Sequence, residues 1–530
     1  MEAAPLLLSS LERKEEVTAE VKRIILAWFL ITVTMVANSI ADFGWSSNLI
    51  AFFINELNAG TIFATQINYV ILGLDNFFVI LGYIAADSFP SLVSVVTVSA
   101  FISFLGTIML TITSSIKLSS NLYSWGAVFI SMTLASLGGG CTRFTIESLG
   151  VGQFDREHNH LASTMIVLNR YTSFLIAAAL SFLVIVYIDD NVSWCLGFGI
   201  CAIANAIALV VFLSGKRFYR QTKQDGGPIT SIPRVLRRIL LWSEHFLEEN
   251  CYLGDNTTKV QKFRFMVTKW RQLFTVEEAE DLKTLIKTMP LWPSDMVLLA
   301  CISMLKGLSV LQARAIGNWN SNSSGNTNLT LSPGSYAYIS QEAIVWTLMI
   351  AVWPCLSYAP KATWRHPLRL IATSHVCVII AIVFSALIEP GIRDFVGSSA
   401  ETASAWLIIQ LAISGSGLCF YMVGQSILYT VEFPSSALTV STSMYALFSG
   451  FGYLLSAVIT GLLPAFTGWL PDDINHGRLD YVFWMLAVLA VLNFAYFQFC
   501  TANYKHPLAD LDEEYHDAFV NKFILSRVLS

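Results

Sequence analysis

Arg143 stands well inside an apolar run that begins near Tyr123 and closes with the stretch Gly138 to Asp155. Glu147 follows it by four residues, so the two share one helix face. A charge at the centre of a membrane span costs about 3 kcal/mol on insertion scales, so a chain keeps one where it faces protein or a water-filled path. Two chemistries are open. A guanidinium cannot release a proton, and its planar fork matches a planar oxyanion. If Arg143 lines a central hollow, it would hold an anion. Alternatively, Arg143 and Glu147 neutralise each other across one helix turn and do nothing further.

Other ions interrupt the apolar runs. Lys306 lies deep in one, on a face with Ser303, Ser309 and Val310. That face is too apolar to satisfy an ammonium without a partner or water. Arg170 is near the end of its run and is expected to extend its head to the lipid headgroups. Asp42 and Asp75 fall in the first and second runs, and Asp75, beside Asn76, reads as a packing contact. His375 reads as a satisfied helix contact rather than a solute ligand. The nine cysteines are scattered without a Cys-x-x-Cys pair, which argues against a disulfide framework and a metal site. There is no His-Glu-x-x-His, no phosphate loop and no Gly-x-Ser-x-Gly, so neither an enzyme nor a cofactor is expected.

The elements that must position these ions are membrane helices. Hydrophobic residues make up 55% of the 530 and charged residues only 13%, against about 25% in a soluble domain. Twelve runs are long enough to span: 24–54, 65–86, 90–114, 121–150, 162–188, 192–214, 290–315, 336–358, 366–389, 403–429, 437–463 and 480–503. A polar segment at 215–289 divides them six and six. The expected organisation is a tail (1–23), a six-helix bundle (24–214), a linker (215–289), a second bundle (290–503) and a tail (504–530). Lys216, Arg217, Arg220, Arg234, Arg237 and Arg238 put the linker on the cytosolic side, with both tails. The opposite loops carry Asp189, Asp190, Glu389, Asp472 and Asp473. The sequons at Asn322 and Asn328 fall on that far side. Residues 1–22 are too polar for a secretory signal. A net charge of -5 without a basic face gives no case for nucleic acid.

Several separated motifs carry a resemblance. Gly82-Tyr83-Ile84-Ala85-Ala86-Asp87 resembles the loop motif of the major facilitator superfamily. Trp194-Cys195-Leu196-Gly197-Phe198-Gly199 and Pro290-Leu291-Trp292 are similar to the openings of spans six and seven in the plant nitrate transporter 1/peptide transporter family. Trp469 to Asn475, followed by Gly477 to Tyr481, resembles the approach to that family's last span, and Gln153-Phe154-Asp155 ends the fourth as the family does. Thr142-Arg143-Phe144-Thr145 and Ser214 to Tyr219 look most like its nitrate-excretion branch. The resemblance implies an all-α fold of two six-helix bundles working by alternating access.

Departures from the family shape the expected mechanism. Proton-coupled members carry Glu-x-x-Glu-Arg in the first span; aligned on Gly44 to Asn48, those places hold Met35, Asn38 and Ser39. The glutamate of span ten falls on Ile427, two residues past Gln425, and the histidine of span seven on Ile302. Arg143 stands where relatives have lysine. The expected carrier therefore moves a small anion, nitrate first, passively or with weak proton coupling. Arg143, Lys306, Asn38 and Gln425 would bind it, Asp42 and Glu147 would balance charge or gate, and Asp87 would act in the switch. Two alternatives stay open: a carrier of a larger plant metabolite, such as a glycoside or alkaloid, and a non-transporting sensor. Besides solute and bilayer, a sorting adaptor is an expected partner. Glu2 with Leu6 and Leu7 forms an acidic dileucine pattern that addresses the vacuolar membrane, whereas the branch resemblance points to the plasma membrane.

Overall fold

The computed structural model describes residues 3–89, 91–116, 122–153, 159–220, 283–323, 342, 344–345, 347–351, 367–395, 400–433, 437–471, 477–502 and 504. Lipid offers the backbone no hydrogen bonds, so an apolar chain inside it must satisfy its own N–H and C=O groups, and a helix does this within one segment. The described residues obey that rule. In order the helices are α1 (Ala3–Ser46), α2 (Leu49–Asn55), α3 (Thr61–Ser88), α4 (Leu92–Ser115), α5 (Leu122–Val151), α6 (Asn159–Leu180), α7 (Val186–Asn191) and α8 (Trp194–Ser214). After the linker come α9 (Trp292–Ser323), α10 (Pro367–Phe395), α11 (Ala400–Glu432), α12 (Ala437–Phe466) and α13 (Leu479–Ala502).

Eleven stretches among the described residues are long and apolar enough to cross a membrane. They cover every expected run but the eighth. Of that run, residues 342, 344–345 and 347–351 are described, all helical, and the remainder lies outside the described residues. Most of the linker does too, as do Glu2, the Asn328 sequon and the side chains of Leu6 and Leu7.

Two boundaries differ from the expected ones. The first run is a single helix from Ala3 to Ser46, and a turn at Ser47–Asn48 separates it from α2. The fifth run is α6 and α7 joined by a π-helical turn at Ser181–Ile185. Such a turn breaks the i→i−4 ladder locally. Ser181 uses the site to donate to the Ile40 carbonyl of α1 at 3.0 Å.

Within the first half, α4 packs on α5 and α8, and α1 packs on α6 and α8. Within the second half, α10 packs on α11 and α13, and α9 on α11 and α12. The seam between the halves runs along α3 and α12. Phe77 meets Phe451 edge-on there (5.1 Å between centroids), and Gln66 donates to the Ala457 carbonyl at 3.4 Å. Outward faces of α8 and α13 expose Ile203, Val210, Val488 and Leu492, as helices bordering lipid do. Lys287 reaches Glu432 at 3.2 Å and Gln153 reaches the Arg220 carbonyl at 3.3 Å. The ends of α5, α8 and α11 and the start of α9 thus share one end of the molecule, here termed the linker end.

Candidate functional site

Three consecutive glycines build the first ion cluster. A Cβ on Gly138 would overlap the Ser103 backbone of α4, one on Gly139 would lie 2.5 Å from Asp42 Oδ1 of α1, and one on Gly140 would lie 2.8 Å from the Asp75 carbonyl of α3. Successive helix positions are about 100° apart, so α5 presents a bare backbone to three helices at once. Close approach of this kind is what small residues permit in a membrane bundle. One turn on, Arg143 enters the same junction. Its Nη2 donates to Asp75 Oδ2 at 3.0 Å and stands 3.7 Å from Asp42 Oδ2. Asn38 Nδ2 donates to Asp42 Oδ2 at 3.0 Å. The cluster holds one cation against two carboxylates from separate helices.

Glu147 has a different partner from the one its spacing suggests. Arg170 Nη1 of α6 donates to its two carboxylate oxygens at 3.0 and 3.3 Å. The same Nη1 donates to Thr442 Oγ1 of α12 at 3.1 Å, and the guanidinium lies over the Tyr171 ring at 5.0 Å. Arg170 therefore does not reach toward headgroups: it is 13% exposed and joins the two halves near the linker end. The physical reason is that a carboxylate and a hydroxyl within reach satisfy the guanidinium better than a long climb to the interface. Asp75, likewise, is an ion-pair partner of Arg143 rather than a packing contact, and Asn76 donates instead to the Leu72 carbonyl at 2.8 Å.

Lys306 stands apart from both clusters. It lies 14 residues past Trp292, about 21 Å along α9. It lines a cavity of ≈ 30 Å³ between the halves, with Ser46, Ser47, Asn48, Asn68, Tyr69, Ser303 and Tyr453 supplying the other polar side chains. About 10–15 Å³ of such space holds a water, so there is room for two or three. Its Nζ is 2.5 Å from Glu342 Oε1, and both side chains are nearly buried. Tyr445 of α12 lies within electrostatic reach of Lys306, Glu342 and Arg143.

The remaining expected residues are dispersed. Gln425 is 1% exposed on α11, and its Nε2 has no hydrogen-bond partner among the described residues. Asp87 is half-buried in the last turn of α3. Met35, Ser39 and Ile302 are buried. His375 stacks near Phe497, 4.9 Å between centroids, beside Ser294. No cluster of metal-ligating residues occurs among the described residues.

Comparison with known proteins fixes the family. The family model described as "PTR2: POT family" matches residues 93–474. The chain belongs to the POT family. Among Arabidopsis thaliana proteins, Protein NRT1/ PTR FAMILY 2.3 is 32% identical, over 91% of this chain and 93% of the relative. Protein NRT1/ PTR FAMILY 2.5 is 30% identical over 91% and 93%. A crystal structure of an auto-inhibited POT family peptide transporter aligns with a TM-score of 0.67 at 17% identity, covering 90% of this chain and 97% of that one. At that identity the likeness carries the fold alone. The POT-family chain is a multi-pass membrane transporter, helical throughout its eleven spans among the described residues, and not an enzyme.

Glu342 and Thr442 are the partners that sequence reasoning missed. Glu342 did leave a signal, being an acid inside the eighth apolar run. Thr442 left none, because a hydroxyl in a membrane helix ordinarily bonds its own backbone.

Proposed function

We propose that this carrier moves a small anion, nitrate in first place, by alternating access around the cavity at Lys306, passively or with weak proton coupling. One observation carries the reading. The described residues lining that cavity offer an ammonium, hydroxyls and amide groups; the ammonium is paired with Glu342, which is not itself among them. Such a lining presents hydrogen-bond donors to an anion once Glu342 yields the ammonium. Absence of titratable groups at Met35, Asn38 and Ser39 supports transport without the family's first-span proton step.

Within this reading Lys306 is the primary contact. Arg143 reaches an anion only when Asp75 lets go of it, and Asn38 only when Asp42 does. Gln425 would donate its Nε2 if the second bundle turned it inward. Asp42 and Glu147 balance charge, and Asp87 takes part in the switch between states. We place the bundles at 24–214 and 290–503 with tails and linker in the cytosol, and the protein in the vacuolar membrane, addressed by Glu2, Leu6 and Leu7.

The test is a solute screen in proteoliposomes at two pH values with nitrate, chloride, dipeptides and plant glucosides, recording internal pH. Nitrate flux with little proton co-flux is expected. Strict one-to-one proton co-flux, or flux of glucosides and not of anions, would defeat the reading. Binding without flux of any solute would favour a sensor.

A further inference from the structure

Tyr69 of α3 stands in the wall of the same cavity with an unused donor. Its side chain is 1% exposed, and its hydroxyl is buried without a hydrogen-bond partner among the described residues. An unpaired hydroxyl in such a place costs the fold, and a phenylalanine would supply the same ring without that cost. The packing around the ring fixes where the hydroxyl points. Gln66, Tyr69 and Gly73 fall at helical spacing on one face of α3, and that face meets α12. Gln66 donates to the Ala457 carbonyl at 3.4 Å, a Cβ on Gly73 would lie 3.3 Å from the Gly450 carbonyl, and the Tyr69 ring leans on that of Tyr453, 6.4 Å between centroids. The hydroxyl itself abuts α9 at Gly307, the residue after Lys306. A Cβ on Gly307 would overlap it, so glycine at that position is what admits it.

We infer that Tyr69 is the first bundle's contact for the substrate, a phenolic donor to one oxygen of an oxyanion whose other oxygens face Lys306, and that Gly307 stays bare to make room for it. The inference rests on the anion reading proposed above and names the class of anion. Lys306 belongs to the second bundle, and its ammonium has Glu342 as a partner, whereas the Tyr69 O–H is engaged by nothing among the described residues. The two donors thus come from different bundles and meet at one stretch of α9. A trigonal oxyanion carries acceptor lone pairs on three separated oxygens, so donors on two walls can each take their own. A halide is a single centre and satisfies both only where they converge. A phenol donates one hydrogen bond and stays neutral, so it adds direction to the site without adding charge. Lys306 sets the sign of the solute, and Tyr69 its shape.

The experiment measures nitrate and chloride transport in proteoliposomes by wild type, Tyr69→Phe and Gly307→Ala, and melting temperatures in detergent with and without nitrate. Tyr69→Phe removes one oxygen and keeps the ring. Without nitrate it should melt at or above the wild-type temperature, because an unpaired buried hydroxyl has gone. Its nitrate KM should rise about tenfold or more with the maximal rate retained, and its chloride KM should move less, so the preference for nitrate over chloride falls. Gly307→Ala displaces the hydroxyl and not the ammonium, and should shift that preference in the same direction. A tyrosine with a structural role only would lose stability on substitution and leave the KM where it was. A wild-type nitrate KM in folded Tyr69→Phe, or equal rises for nitrate and chloride, overturns the inference and leaves the anion carrier standing. Nitrate that raises the melting temperature of wild type but not of Tyr69→Phe, without flux in either, would uphold the donor and sink the transport reading. Wild type that neither binds nor moves nitrate sinks both.

Discussion

Arg143 is shared between Asp75 at 3.0 Å and Asp42 at 3.7 Å, carboxylates of two different helices. The guanidinium therefore holds α1, α3 and α5 together as much as it supplies positive potential. Removing one member of a buried pair leaves uncompensated charge and costs about 3–5 kcal/mol. Arg143→Ala should thus lower thermal stability in detergent by an amount of that order, and Arg143→Ala with Asp75→Asn should recover a substantial part. Equal melting temperatures for wild type and Arg143→Ala would contradict the pairing. The sequence singled out Arg143, Glu147, Asp42 and Lys306 because an ion in an apolar run is visible without any structure. It did not pair them correctly. Only contacts three or four residues apart can be read from one helix. The true partners of Arg143, Glu147 and Lys306 come from other helices, whose rotation about their axes no single sequence specifies.

At the scale of elements, α5 explains why three glycines precede the arginine. Gly138, Gly139 and Gly140 each abut a different helix, so α5 fits into a junction that side chains would fill. Which helix each glycine meets is set by bundle packing and is not readable from the sequence alone. Helix α6 shows the opposite case. A residue near the end of an apolar run invites the reading of a headgroup contact. Yet Arg170 turns inward and ties α5, through Glu147, to α12, through Thr442. A hydrogen bond to a charged group contributes about 1.5–3 kcal/mol. Thr442→Val should therefore weaken closure at the linker end while leaving each bundle intact. Hydrogen exchange in the first turns of α12 reads this: faster exchange there, with α8 unchanged, is expected. Unchanged exchange in α12 would mean that the contact does not hold the seam.

For the whole molecule, the apolar runs and the polar break between them foretold a twelve-span, two-bundle carrier, because the cost of burying backbone and charge in lipid writes itself into composition. Eleven spans appear among the described residues, in the expected order. The cavity was less legible. It draws on the end of α1, on α3, on the middle of α9 and on α12, which are segments brought together by bundle packing. Of the four residues expected to bind solute, the structure puts Lys306 on that cavity and leaves Arg143, Asn38 and Gln425 off its lining. One flank of the seam is bridged by Arg170 and Thr442, while the hollow lies beside Ser46 to Asn48, where α1 ends away from the linker end.

The most direct measurement is nitrate counterflow in proteoliposomes with wild type, Lys306→Gln and Lys306→Arg. The account predicts that wild type exchanges nitrate, that Lys306→Gln loses most of the exchange at subsaturating nitrate through a raised KM, and that Lys306→Arg restores part of it. Folded Lys306→Gln protein exchanging nitrate with the wild-type KM would contradict the claim that this lysine's cavity is where the anion binds.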